Sequence, residues 1–158
     1  MTHYANRPIL FAGKSMVTAS LGVNDPEPGY RMTDGDEDYV FVYNAGESDI
    51  APSYGAVMSA VSGYSVTVSS TTSVDFLVGV CKHATLTTGT YGWLVTRGFV
   101  EVEMEADNSA AAGQLLALAA DGEFALKSNS TGYPTPAVGK AMEAIASAGS
   151  GTAFISIY

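Results

Sequence analysis

The clearest signal along the chain is alternation. Over Tyr64-Ser-Val-Thr-Val-Ser69 a period of two puts Tyr64, Val66 and Val68 on one side and Ser65, Thr67 and Ser69 on the other. That is the pattern of a strand with one face against a core. Tyr39-Val-Phe-Val-Tyr43 consists of aromatic and β-branched residues, which suit a pleated surface, and it ends at the turn signal Asn44-Ala-Gly46. Phe76-Leu-Val-Gly-Val80 reads as another strand. Ala56-Val-Met-Ser-Ala-Val61 is apolar without a decisive period and fits either a strand or a short helix.

Two Ala-rich stretches pose the same choice. A helix from Asn108 to Ala120 has the right composition, with Asn108 as N-cap and Gly122 past its end. Against it, Asp121-Gly122 lies between Leu116-Ala-Leu-Ala119 and Phe124-Ala-Leu126, and Asp-Gly between two such runs signals a hairpin. The hairpin is favoured. For Ala137 to Ala146 an internal repeat decides. Shifted by 60 residues, Val78, Gly79, Ala84 and Gly89 fall on Val138, Gly139, Ala144 and Gly149 without a gap. An apolar strand follows each copy: Trp93-Leu-Val95 in the first, Ala153-Phe-Ile155 in the second. Since Phe76 to Thr85 is β-like, its counterpart is read as a strand too, with the repeated glycine marking a bulge or a corner.

Residues 1–38 follow no regular period. Pro8, Pro26, Pro28, Gly22, Gly29 and Gly35 interrupt them, and only Ile9-Leu10-Phe11 is strongly apolar. The Asp25-Pro-Glu-Pro-Gly29 run cannot occupy a central strand, because proline lacks a backbone donor. Asp34-Gly-Asp-Glu-Asp38 repels itself and is expected in water. The chain therefore divides into an extended N-terminal arm over 1–38 and a β-rich domain over 39–158. The arm is either a flexible end or a segment that orders only against a neighbour.

Composition narrows the function. Charged residues are only 15% of the chain, against about 25% in an average domain, which suits a protein that hides surface in an assembly. Sixteen acidic residues against seven basic ones give a net charge of −9, so neither nucleic acid nor an anionic membrane is an expected partner. No run approaches the ~20 apolar residues that span a bilayer. The first residues lack the apolar core of a signal peptide, so synthesis in the cytosol and exit by a non-secretory route such as lysis are expected. With one cysteine, Cys81, there is no intramolecular disulfide.

Candidate chemistry is sparse. Gly13-Lys14-Ser15 resembles the end of a phosphate-binding loop, but Pro8 stands where that loop needs its first glycine. Asp34, Asp36 and Asp38 start like a calcium loop, yet Tyr39 and Ala45 occupy the positions of its glycine and its bidentate glutamate. Cys81 and His83 share one strand face, with Asp75 near in sequence, but parallel side chains and no oxyanion donor argue for a buried thiol and a half-exposed imidazole. His3 lies in the arm. The expectation is a protein that is not an enzyme, with no catalytic, cofactor-binding or metal-binding residues.

One resemblance gives a function. Tyr91-Gly92-Trp93-Leu94-Val95-Thr96-Arg97-Gly98, then Ala112-Gly113-Gln114-Leu115, then Val138-Gly139-Lys140-Ala141-Met142-Glu143 and a closing strand Ala153–Ile157 together resemble the capsid decoration (cement) proteins of tailed phages. It covers about residues 74–158. It implies a mainly β fold, a compact β-barrel-like or β-sandwich domain with an extended N-terminal arm. It also implies a homotrimer that binds the major capsid protein on the outer capsid surface of the virion and stabilises the shell. Gly92, Trp93, Gly98, Gly113 and Gly139 are then structural positions, Trp93 being a core or subunit-interface anchor. Ile9, Leu10 and Phe11 join them as interface candidates. The alternative is a carbohydrate- or host-surface-binding β-module, for which nine tyrosines and one tryptophan supply the rings.

Overall fold

The alternating segments become strands where their pattern places them. The computed structural model describes residues 16–22, 25–59, 64–68, 76–127 and 136–157. Ile9, Leu10, Phe11, His3, the Gly13-Lys14-Ser15 tripeptide and Asp75 lie outside the described residues. Among the described residues ten strands form: β1 (Arg31–Asp34), β2 (Glu37–Asn44), β3 (Gly55–Met58), β4 (Ser65–Val68), β5 (Leu77–Cys81), β6 (Tyr91–Glu103), β7 (Leu115–Leu118), β8 (Phe124–Leu126), β9 (Gly139–Ala141) and β10 (Ser150–Ser156).

Within the ambiguous stretches 56–61 and 110–120, Gly55–Met58 and Leu115–Leu118 bound the strands that form, and Ala60 and Val61 lie outside the described residues. Gly55–Met58 lies between β4 and β5, so both its edges are bonded and Ala56 and Val57 are buried. β7 and β8 form the favoured hairpin, with Leu118 opposite Phe124. Its connection is longer than a bare Asp-Gly turn: Ala119 N donates to Glu123 O at 2.7 Å around a 3-10 turn, Ala120–Gly122. The strand expected across 137–146 is confined to Gly139–Ala141. Within the stretch read as an arm, β1 and the start of β2 make a tight hairpin over Gly35 and Asp36. The acidic run is partly paired there, since Asp38 accepts from Thr33 Oγ1 at 2.6 Å and faces Arg97 at 3.7 Å.

The expected barrel or sandwich does not form. All ten strands join one sheet in the order β1-β2-β4-β3-β5-β6-β10-β9-β7-β8. A barrel requires the two edge strands of a sheet to pair. Here the ends of the order are β1 and β8, which do not pair with each other, β8 meeting β7 and, through the Met104–Phe124 bridge, the end of β6, so the ten-stranded sheet does not close into a barrel. β2 also pairs with β6, which curls the N-terminal part of the sheet. The C-terminal strands run outward from β6 through β10, β9 and β7 instead of returning to β1.

The internal repeat is wider than its sequence identities. Val40 pairs with Leu94 and, one repeat later, Val100 pairs with Ala153. Gly55 opposite Val80 is matched by Leu115 opposite Lys140, and Met58 opposite Val66 by Leu118 opposite Phe124. The parallel contact of Asn44 with Val66 returns as Met104 with Phe124, and the bridge Ile50–Leu86 returns as Ala110–Ile145. The chain thus contains two units of the same topology. β2, β3, β4, β5 and the first half of β6 correspond to the second half of β6, β7, β8, β9 and β10.

Each unit has its own core. Val40, Val42, Ile50, Val66, Leu86 and Leu94 fill the first. Val100, Val102, Leu116, Phe124, Ile145 and Ile155 fill the second, which Val57, Leu77 and Val80 from the first unit help to seal. A third cluster, Tyr39, Phe41, Trp93 and Val95, lies on the opposite side of β2 and β6 beneath Met16 and Met32.

Candidate interaction surfaces

Trp93 is buried, with 7% of its surface exposed. Its ring sits 5.0 Å from Phe41 and meets Tyr30 edge-on at 6.3 Å. Phe41 stacks in turn on Tyr91 at 6.2 Å. Such rings gain from mutual packing beyond the area they bury, but a ring so covered cannot serve as an open platform for a ligand. Gly92 lets the chain approach closely: a Cβ there would lie 2.8 Å from Leu86 Cδ1 and 3.2 Å from Met16 O.

The remaining glycines fall at distinct places. Gly98 marks the seam between the two units. Its φ is +128°, and a Cβ would stand 2.7 Å from Glu37 Cγ and 3.1 Å from Glu37 Cα. Beside it the register of β2 on β6 slips between Asp38 and Tyr39, with Asp38 opposite Arg97 and Tyr39 opposite Val95. Gly139 on β9 lies under β10, where a Cβ would meet Ile155 Cδ1 at 2.6 Å and Phe154 O at 2.7 Å. Gly113 sits in the turn before β7, its N donating to Ala141 O at 2.8 Å. The structure does not bring these glycines together in one place.

The groups considered for chemistry are held in structural contacts. Cys81 is buried, and burial pushes its thiol up to about 11 although Leu86 and Ala84 backbone contacts act the other way. Its Sγ donates to Ala84 O at 3.0 Å. His83 stacks on Tyr39 with centroids 5.9 Å apart, and its Nε2 lies 3.1 Å from the Tyr39 hydroxyl. That hydroxyl donates to Glu37, whose other oxygen pairs with Lys82. Burial, then the Glu37 carboxylate, raise the Tyr39 phenol well above its ordinary range. A depression of about 260 Å³ lined by Arg31, Met32, Thr33, Asp38 and Tyr39 lies on the β1–β2 hairpin. Among the described residues no three His, Cys, Asp or Glu side chains gather as metal ligands would. Nor is any helix among them long and apolar enough to cross a membrane.

One exposed apolar surface is missed by residue-by-residue reading. After Gly98, β6 alternates as Phe99-Val-Glu-Val-Glu103, with Val100 and Val102 buried and Phe99 and Glu101 outward. Phe99 lies opposite Phe154 on β10, their rings 5.2 Å apart and edge to face. The same row continues through Lys140 on β9 to Leu115 on β7. Beside it, Ser150 donates to Glu101, and Thr152 N donates to Glu143 Oε1 at 2.6 Å. The signal was present as a period of two over 99–103.

No family model and no curated protein matches this chain. Among solved structures it is similar to the N base of the head fibre protein gp8.5 of bacteriophage phi29, with a TM-score of 0.51 and 15% sequence identity. The match covers 75% of this chain and 94% of that one. What the two proteins share, at this identity, is their fold.

Proposed function

We propose that this chain is a structural protein of a tailed-phage virion, carried on the outside of the head. The supporting observation is the fold it has in common with a phage head-fibre base across nearly all of that base. The net charge of −9 and the scarcity of lysine and arginine agree with a place outside a DNA-filled shell rather than on its genome. In this reading the work is adhesion, as a decoration subunit or as the base of an appendage, with the major capsid protein as partner and a homotrimer as the assembly. A protein that binds the assembled shell but not the free subunits stabilises that shell by its binding free energy. The test is cosedimentation with purified heads of a phage whose genome encodes the chain, and with its unassembled capsid protein. Binding to heads alone is expected; equal binding to both, or to neither, refutes the reading.

A second reading, a module that binds carbohydrate or another host-surface group, is supported by the similar protein being part of a fibre rather than of a shell. Burial of Trp93 takes the sole tryptophan out of the set of rings the sequence offered for it, while Tyr30 stays exposed. Binding of an immobilised host glycan that survives Trp93→Phe would favour this reading.

A further inference from the structure

The repeat makes the two outer faces of the molecule directly comparable. In the first unit the outer side of β2 and of the first half of β6, bearing Tyr39, Phe41, Trp93 and Val95, is covered by Met16, Tyr30 and Met32. The corresponding side of the second unit has Phe99 in place of Tyr39 and Phe154 in place of Val95. It is open. Phe99 is 45% exposed, Leu115 47% and Met142 46%, so this face holds three of the seven large exposed hydrophobics among the described residues. The reason lies in the connectivity. The first unit is preceded by residues free to fold over it, whereas the second is preceded by the first half of β6, which is already a strand of the first unit.

We infer that this face of the second unit is a docking surface for residues 1–15 of a second copy of the chain. Three observations select that occupant. Segment 1–15 carries the apolar triplet Ile9-Leu10-Phe11, the kind of side chain that would cover Phe99 and Leu115. It contains Arg7 and Lys14 and no acidic residue, in a chain of net charge −9, while the open face is edged by Glu101, Glu103 and Glu143. It also directly precedes the residues that cover the equivalent face of the first unit.

Geometry favours a second copy over the same chain. Thr18 pairs with Tyr91, and Phe99 lies eight residues further along β6, roughly 26 Å at ~3.3 Å per residue. Phe11 is seven residues from Thr18 and reaches at most about 25 Å when fully extended. Continued pairing along the edge of β6 is also blocked, because β5 occupies that edge at Leu94 and Val95. The patch then spreads sideways through β10 and β9 to Leu115 on β7, roughly 14 Å beyond Phe99 at ~4.8 Å per strand. Leu10 and Ile9 of the same chain, at most about 29 and 32 Å from Thr18, come to Phe99 only when nearly fully extended, whereas a second copy carries no such tether.

The test uses isolated protein without shells, so its outcome does not depend on the virion reading. Sedimentation is measured for the full chain, for the chain lacking residues 1–15, and for Phe99→Ser and Leu115→Ser. Both substitutions are at exposed positions, and circular dichroism checks their folds. A fluorescent peptide of residues 1–15 is then titrated into the truncated protein. The full chain is expected to self-associate, the truncated chain to be monomeric, and the peptide to bind it at least tenfold more weakly after either substitution. Equal masses for full and truncated chains, or peptide binding indifferent to both substitutions, overturn the inference. A monomeric full chain whose truncated form binds the peptide overturns it too, since the chain then covers its own face.

Discussion

Replacing Trp93 by alanine is the sharpest test of the packing between the N-terminal segment and the sheet. The indole is 7% exposed and lies against Phe41, Tyr30 and Val95. A large aromatic buries about 150–250 Å², which at ~25 cal/mol per Å² corresponds to roughly 4–6 kcal/mol. A compact unfolded chain already hides part of that area, lowering the figure by about 10–40%. The result, about 3–5 kcal/mol, agrees with the usual cost of deleting a buried aromatic. Against a domain stability of roughly 5–15 kcal/mol that is a large fraction. Trp93 is the sole tryptophan, so urea unfolding of the parent can be followed by its emission and that of the variant by circular dichroism. The folded parent is expected to emit to the blue and to resist an aqueous quencher. Trp93→Phe should cost less than half as much as Trp93→Ala, since a ring still fills much of the site. A water-like emission maximum in the folded protein, or a loss below about 1 kcal/mol for Trp93→Ala, would refute the packing described.

Gly98→Ala should destabilise the protein by about 1–3 kcal/mol, because a side chain is forced to a positive φ and against the Glu37 backbone; thermal or urea unfolding measures it. The Cys81 thiol, held up at about 11 by burial, should stay unreactive to alkylating reagents near neutral pH in the folded protein, and become reactive only on unfolding or as pH approaches that value. Burial, then Glu105, Asp121 and Glu103, raise the Glu123 carboxyl above its ordinary range. The folded state therefore holds that proton more tightly than the unfolded one, so stability falls as pH rises from the ordinary carboxylate range through the raised folded value. Glu123→Gln should accordingly stabilise the protein at neutral pH and lose that advantage in acid, as unfolding midpoints at several pH values will show.

Local pattern carried much of this fold. Tyr39–Tyr43, Ser65–Val68 and Leu77–Val80 were legible as strands because each shows its own period or composition, and the hairpin of β7 with β8 because Asp121-Gly122 sits between two apolar runs. Whether the sheet closes was not legible. That depends on which strands form its edges, a matter of pairings such as β2 with β6 that no sequence window contains. Four identities announced the repeat, yet positions that do the same job share no residue type: Ile50 and Ala110 make equivalent bridges, as do Leu86 and Ile145. The open face was hidden for a related reason. Phe99, Phe154, Lys140 and Leu115 are dispersed in sequence and become neighbours only through the register of four strands.

β6 belongs to both units at once, and this bears on how the molecule melts. In most repeat proteins each unit contributes its own stability plus an interface with the next, so an end unit can fray while the rest persists. Here the two units have a continuous strand in common instead of merely touching. Opening β10 away from β6 would uncover the core that also holds Val57, Leu77 and Val80 of the first unit. Loss of β2 would strip the first half of the same strand. Partial opening therefore exposes apolar surface in both units, which disfavours half-folded species. Unfolding should be a single transition by every probe, with the amides at the centre of β6 the last to exchange with solvent.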